Sequence, residues 1–257
     1  MRLVDGADAI RGDLPRASTK SVDVPLEAGD DQGTGIHRMS SIALVRERLG
    51  NVLAVTPGVV VTIGGDCGVE VGAIGHVLAR DQDVAVLWLD AHPDLNTAAS
   101  SASHAFSGMV LRTLLGDGTA QLVPSTALSP ERLVLAGARS FDAAEDEYID
   151  ANSVRTVSAG EISPESLIAA VEATGAASVY VHIDLDVIDP SDFIGIGYPE
   201  PFGVLAGVLV ESLKALLARF RLAGAGITEF APASAEEALE DMPTILRIVG
   251  ALAAAAT

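Results

Sequence analysis

Apolar runs, mostly β-branched, recur along this chain, and a polar break follows each of them. Val59–Ile63, Val84–Leu89, Val179–Ile183 and Leu222–Ile227 are the clearest, and Leu133–Gly137 and Ser153–Val157 read the same way. Short runs bounded by Gly, Asp or Ser predict buried strands. Between them lie stretches with helical periodicity: Val69–Arg80, Gly108–Leu115, Ala143–Ile149, Pro164–Ala173, Val204–Phe220 and Pro243–Ala255. Ser163-Pro164 and Met242-Pro243 are read as helix starts, because a first turn does not need the N–H that Pro lacks. Strand–helix alternation of this kind predicts a three-layer α/β fold, a mostly parallel central sheet with helices on both faces. Ahead of Val59 the chain differs. Asp5–Leu14 reads as a short helix, and Asp23–Gly35, polar and rich in Gly and Asp, as a loop; some loops of that kind cover sites. No linker separates a second domain, and 257 residues suit one large α/β domain over 1–257.

Four of the polar breaks carry the chemistry: Gly64-Gly65-Asp66-Cys67, Asp90-Ala91-His92-Pro93-Asp94, Asp184-Leu185-Asp186-Val187-Ile188-Asp189-Pro190, and Thr228-Glu229. In an open parallel sheet the residues just past the strand carboxyl ends share one rim, where ligands bind. Carboxylates gathered there repel one another unless something positive sits among them, and divalent metal is the natural answer. Asp90, His92 and Asp94 alternate along an extended segment, so they are expected to point the same way, as are Asp184 and Asp186. Carboxylate oxygen with one imidazole suits an ion such as Mn²⁺. Two ions about 3.5–4 Å apart, sharing carboxylates, make a hydrolytic centre. Taken singly, each string has a plainer reading: an ordinary loop, a helix cap or a tight Gly turn. Their joint occurrence at strand ends favours the metal.

The formal charge of −19 argues against a nucleic-acid partner, since phosphate binding needs clustered Lys and Arg. An acidic surface steers cationic substrates, although it also serves simple solubility. No apolar stretch reaches membrane-span length, the first residues hold no apolar signal core, and one Cys fits a reducing compartment. The expectation is a cytoplasmic protein with no membrane partner.

These strings resemble the ureohydrolases: arginase, agmatinase, guanidino-acid hydrolases and formimidoylglutamase. The resemblance runs from about Gly6 to Leu252. The family's Gly-Gly-Asp-His appears as Gly64-Gly65-Asp66-Cys67, its Asp-Ala-His-x-Asp as Asp90–Asp94, and its Ser-x-Asp-x-Asp-x-x-Asp-Pro as His182–Pro190. The resemblance implies an arginase-like fold and two Mn²⁺ ions bridged by Asp90 and Asp184. Asp94 and the residue at Cys67 would complete one ion's shell, and His92 and Asp186 the other's. It also implies attack of a metal-bridging hydroxide on a guanidinium or amidine carbon, with Asp94 passing a proton to the departing amine. Glu229 would pair with the guanidinium. Asn96 and Ser103 fall where arginase-like members contact an α-carboxylate, and Asp142 where they contact an α-amino group. A homo-oligomer, trimer or hexamer, is implied as well.

The chain departs from that pattern in ways that matter. Cys67 replaces a metal-binding His; a thiolate is a poor match to Mn²⁺, so a softer ion, or only one ion, is an alternative, as is an inert buried thiol. Ser107 stands where the family has a proton-shuttling His, which removes an acid/base contribution of roughly 10²–10⁴-fold. His182 replaces a Ser and is expected behind the ligands, orienting a carboxylate. The family's opening strand is not visible ahead of Gly6. The leading expectation is hydrolysis of arginine or a related guanidino compound with release of urea. Formimidoylglutamate hydrolysis releasing formamide is the second reading; its extra carboxylate calls for a cation, and Arg112 and Arg139 are the nearby candidates. A degenerate, non-catalytic member is the third.

Overall fold

A computed structural model describes residues 2–256; Met1 and Thr257, the two ends of the expected domain, lie outside the described residues. Among the described residues six strands form one sheet in the order β1-β6-β5-β2-β3-β4, every neighbouring pair parallel. They are β1 (Val61–Ile63), β2 (Val84–Leu89), β3 (Leu133–Ala136), β4 (Arg155–Val157), β5 (Ser178–Asp184) and β6 (Arg221–Thr228). The helices are α1 (Arg2–Asp13), α2 (Met39–Ala54), α3 (Glu70–Leu78), α4 (Val110–Leu114), α5 (Ala143–Asn152), α6 (Pro164–Glu172), α7 (Ala206–Arg219) and α8 (Ala235–Ala255). None is long and apolar enough to cross a membrane among the described residues.

Side-chain alternation explains the layers. Ala85, Leu87 and Leu89 of β2 face a core built with α1, α6, α7 and α8, whereas Val84, Val86 and Trp88 face a second core with α2, α3 and α4. Both faces of β2 are therefore covered, and every residue of the strand is buried. That is why the central strands read as unbroken apolar runs instead of alternating ones. Each such Val or Leu contributes about 1.5–3 kcal/mol by leaving water.

The chain runs outward from β2 through β3 to β4, then returns to place β5 on β2's other side. The sheet's order thus reverses between β2 and β5. Ligands in open α/β sheets bind outside the strand carboxyl ends at such a reversal, and Asp90 and Asp184 stand at those two ends.

Three elements differ from expectation. Helix α2 was not anticipated: Arg38 enters it in a left-handed conformation with no side-chain cap, so the usual start signal is missing. Helix α8 begins at Ala235, not at Pro243, which lies inside it. Ser234 accepts from the Glu237 N–H at 3.1 Å and Glu237 accepts from the Ala233 N–H at 2.6 Å. The interior Pro costs about 3 kcal/mol, offset by the burial of Met242, Ile245, Ile248 and Leu252. Ser153, read as the start of β4, is instead the left-handed residue (φ 50°) that ends α5.

Candidate metal centre

Local backbone geometry turns the polar breaks inward. After β2, Asp90 Oδ1 accepts from the His92 N–H at 2.6 Å, and Ala91 N–H donates to Asp186 Oδ1 at 2.9 Å. After β5, Asp184 Oδ1 accepts from the Asp186 N–H at 2.8 Å, closing a one-turn 3₁₀ segment Leu185–Val187. That turn ends the strand between them, and Asp184 and Asp186, expected on one face, fall in different donor groups. Asp94 breaks its own alternation for a similar reason: its φ is 53°.

Two donor groups result. Cys67, Asp90, His182 and Asp184, all buried, bring one ligand atom each within 4.8 Å of one another. Asp90, His92 and Asp186 form a second group to the same limit. Asp90 belongs to both. Its Oδ2 faces His182 Nε2 at 3.8 Å and accepts from the Trp88 indole at 3.0 Å, while its Oδ1 lies 3.6 Å from His92 Nδ1. Asp184 stands in the first group alone, where its Oδ2 accepts from the Cys67 thiol at 3.1 Å. His92 Nδ1 lies 2.9 Å from Asp186 Oδ2, and its Nε2 looks toward Glu200 Oε1 at 3.9 Å.

The electrostatics fit dications. Burial, then the negative charge of Asp184, Asp94 and Asp90, pushes the Cys67 thiol well up. Burial and like charge do the same to Asp94 and Asp184, and they raise Asp186 as well. Burial lowers His92, but Asp186 and Asp90 outweigh it and raise the imidazole to about 11. Burial acts against Asp90 too, yet hydrogen bonding to His182 and His92 holds it below the usual carboxylate range. Burial and mutual repulsion thus favour the protonated forms of Asp94, Asp184 and Asp186, and a divalent cation would act in the opposite direction. The buried atoms Asp94 Oδ2, Glu70 Oε1 and His182 Nδ1 have no hydrogen-bond partner, which a protein seldom tolerates without a role for them.

Around this centre the other expected residues take varied positions. Asp94 is buried close by but outside both donor groups. Glu229, with φ 64°, donates its N–H to the Gly65 carbonyl at 2.8 Å, which sets β6's end against β1's. Burial, then Asp66, Asp186 and Asp90, pushes its carboxyl up to about 8. Asn96 Nδ2 donates to Asp142 Oδ2 at 2.9 Å, so these two expected substrate contacts meet directly. Ser103 is exposed and accepts from the Ala105 N–H at 3.2 Å. Ser107 opens a one-turn 3₁₀ segment that packs against the turn Cys67–Val69. His182, expected behind the ligands, presents Nε2 among them, 3.7 Å from Cys67 Sγ.

Arg112 and Arg139 are both engaged. Arg112 pairs with Asp117 at 2.5 Å and covers the Tyr148 ring at 3.9 Å. Arg139 donates to the carbonyls of Asp186 at 2.7 Å, Glu200 at 2.8 Å and Pro201 at 3.0 Å.

Reading the sequence missed Glu70, Trp88, Glu145 and Glu200. Glu70 and Glu145 had a signal: each is a carboxylate in the first turn of a helix, and the structure buries both. Glu145 accepts from the Leu95 N–H and the Asp142 N–H, each at 2.9 Å, tying the Asp94–Asn96 segment to α5. Glu145→Ala strands both donors and should cost about 2 kcal/mol, at 1–3 kcal/mol for each buried group left unsatisfied and partly rehydrated. Chemical denaturation checks it, and an unchanged midpoint would refute the tie.

A parallel α/β sheet with a carboxylate-rich, two-group donor site at its reversal point defines the protein's class. The arginase-family model matches residues 6–253, and the chain belongs to that family. It is 32% identical over 151 residues to the arginase of Bacillus subtilis (strain 168), covering 55% of this chain and 51% of that protein. It therefore spans about half the length of the arginases it matches. Over 193 residues it is 33% identical to the N(omega)-hydroxy-L-arginine amidinohydrolase of Streptomyces lavendulae, covering 74% of this chain and 67% of that one. Among solved structures, Entamoeba histolytica arginase, crystallised with L-ornithine, superposes with a TM-score of 0.85 at 23% identity, covering 97% and 92% of the two chains. Formimidoylglutamase of Bacillus subtilis superposes with a TM-score of 0.72 at 17% identity, covering 96% and 80%.

Proposed function

We propose that this protein hydrolyses the guanidino group of an amino acid, arginine or Nω-hydroxyarginine, with release of urea or hydroxyurea. The observation that carries the reading is the pair of donor groups sharing Asp90, on the rim that also holds Glu229. Cys67, Asp90, His182 and Asp184 would hold one divalent ion, and Asp90, His92 and Asp186 the other. Bound there, the ions would lower the pKa of water and supply a nucleophile near neutral pH.

The chain's own residues do the rest. Glu229 takes the guanidinium in a charge-assisted pair, and its raised proton affinity falls away once cations occupy the rim. Asp94, buried with one oxygen unpartnered, carries the attacking water's proton to the departing amine. Asn96 and Asp142, already joined, offer an amide for an α-carboxylate and a carboxylate for an α-amino group. The family relation suggests a homo-oligomer, trimer or hexamer, in the cytoplasm, with Mn²⁺ in at least one site. Engagement of Arg112 and Arg139 weighs against formimidoylglutamate, whose second carboxylate needs a free cation.

A colorimetric assay tests this. Arginine, Nω-hydroxyarginine, agmatine, guanidino acids and formimidoylglutamate are offered to metal-loaded protein, and at least one guanidino amino acid should turn over while formimidoylglutamate does not. Ser107→His should raise the rate, up to roughly 10²-fold, by supplying an imidazole that titrates near neutral pH. Silence across the panel in protein shown to carry two metals would favour the non-catalytic reading.

A further inference from the structure

We propose that His182 is itself a metal ligand and that Cys67, Asp90, His182 and Asp184 form a four-donor site selecting a zinc-type ion, beside a harder site of Asp90, His92 and Asp186. The inference rests on the metal-centre reading above and specifies it.

Spacing is the first support. Bond lengths of about 2.3 Å to sulfur and about 2.0 Å to nitrogen at a tetrahedral angle put the two donors about 3.5 Å apart. Cys67 Sγ and His182 Nε2 are 3.7 Å apart, and Cys67 Sγ and Asp184 Oδ2 are 3.1 Å apart. These donors are already near coordination distance.

The second support lies behind the ring. His182 Nδ1 faces Glu70 Oε1 at 3.5 Å; both side chains are 0% exposed, and neither atom has a hydrogen-bond partner. Glu70 Oε2 accepts from the Tyr180 hydroxyl at 2.6 Å. A metal-bound imidazole commonly gives its other N–H to a carboxylate, which fixes the tautomer and makes the ligating nitrogen more basic. With Nδ1–H turned to Glu70, the Nε2 lone pair is free for the ion. A fully buried Glu–His pair without such a task costs folding energy for no return.

The surroundings are shaped for this pair. Trp88 stacks on the His182 ring at 3.6 Å between centroids and sets its plane. Gly226 leaves room for Glu70: a Cβ there would collide with Oε1. Relative to the family motif, with His at the Cys67 position and Ser at the His182 position, the imidazole has moved from the loop after β1 to strand β5. The thiolate now adds the soft donor. Thiolate with imidazole strengthens the preference for Zn²⁺ or Co²⁺ over Mn²⁺, and the O,N,O group lacks that soft donor. Binding expels the Cys67 thiol proton to solvent.

Metal-depleted full-length protein is titrated with Co²⁺, followed by near-ultraviolet absorption and by proton NMR. The first equivalent should bring a thiolate-to-cobalt charge-transfer band and one paramagnetically shifted, exchangeable imidazole N–H. Zn²⁺ should displace it well below the concentration of Mn²⁺ required. His182→Ser should abolish the shifted proton, keep the thiolate band and weaken this ion's binding at least tenfold. Glu70→Gln should keep the band and weaken binding about 10–100-fold. Melting curves of the metal-free variants establish that they fold, and the wild-type NMR signal needs no variant. A first cobalt ion that binds with the thiolate band but without the shifted proton, or with affinity untouched in both variants, would overturn the ligand role and leave the metal centre standing. Failure to bind any metal would remove both.

Discussion

Asp90→Ala should abolish the proposed hydrolysis and leave the protein unable to hold either ion. Asp90 is the one residue in both donor groups, offering Oδ2 to the first and Oδ1 to the second. Removing it cuts the first group from four donors to three and the second from three to two. Folding should change far less, because two terms oppose each other. The lost carboxylate strands the Trp88 indole N–H, a cost of about 1–3 kcal/mol. It also relieves repulsion on Asp94, Asp184, Asp186 and Cys67, all of which Asp90 pushes up. Elemental analysis beside thermal melts reads both effects. Asp184→Ala, by contrast, should lose the first ion and keep the second, since Asp184 belongs to one group only. An ion retained by Asp90→Ala, or both lost from Asp184→Ala, would mean that the bridging role lies elsewhere.

Glu229→Gln should lower kcat/KM for the guanidino substrate by about 10–150-fold. A hydrogen bond to a charged group is worth about 1.5–3 kcal/mol, and each 1.4 kcal/mol is tenfold. Gln matches Glu in size but carries no charge, so the guanidinium loses its charge-assisted partner. The metal donors are untouched, so stoichiometry should stay as in the wild type. An increase in KM with kcat unchanged would assign Glu229 to holding the substrate; a parallel fall in kcat would mean that it favours the transition state. Unchanged kcat/KM with full metal content would remove it from the substrate's contacts.

Much of the fold was legible because its signals are local. Both faces of a parallel strand are covered, so Val84–Leu89 and Val179–Ile183 show as continuous apolar runs, and the polar strings after them mark the ligand rim. Long motifs also identified the family. Helix α2 was not legible because Arg38 replaces the customary cap, and α8 starts at Ala235 behind the Ser234–Glu237 cap, eight residues before the Pro243 that local rules take for a first turn. An interior Pro is excluded by local rules alone; packing of α8 on the sheet made it tolerable.

The amino-acid sequence by itself determined that Cys67, Asp90, His92, Asp184 and Asp186 meet at one rim, because residues just past the carboxyl ends of parallel strands share it. Tertiary structure decided how those groups divide. Asp184 folds its Oδ1 onto the Asp186 N–H and ends the strand there, sending the two carboxylates to different donor groups. Asp94, whose backbone adopts φ 53°, is buried beside the two groups without belonging to either. His182, expected behind the ligands, has its ring stacked on Trp88 and its Nδ1 facing Glu70, both on other elements, with Nε2 3.7 Å from Cys67 Sγ. Spacing of two along a strand specifies a shared face only while the strand continues. Where it ends, side-chain-to-backbone hydrogen bonds and contacts between distant segments choose each direction, and neither is written in the local pattern.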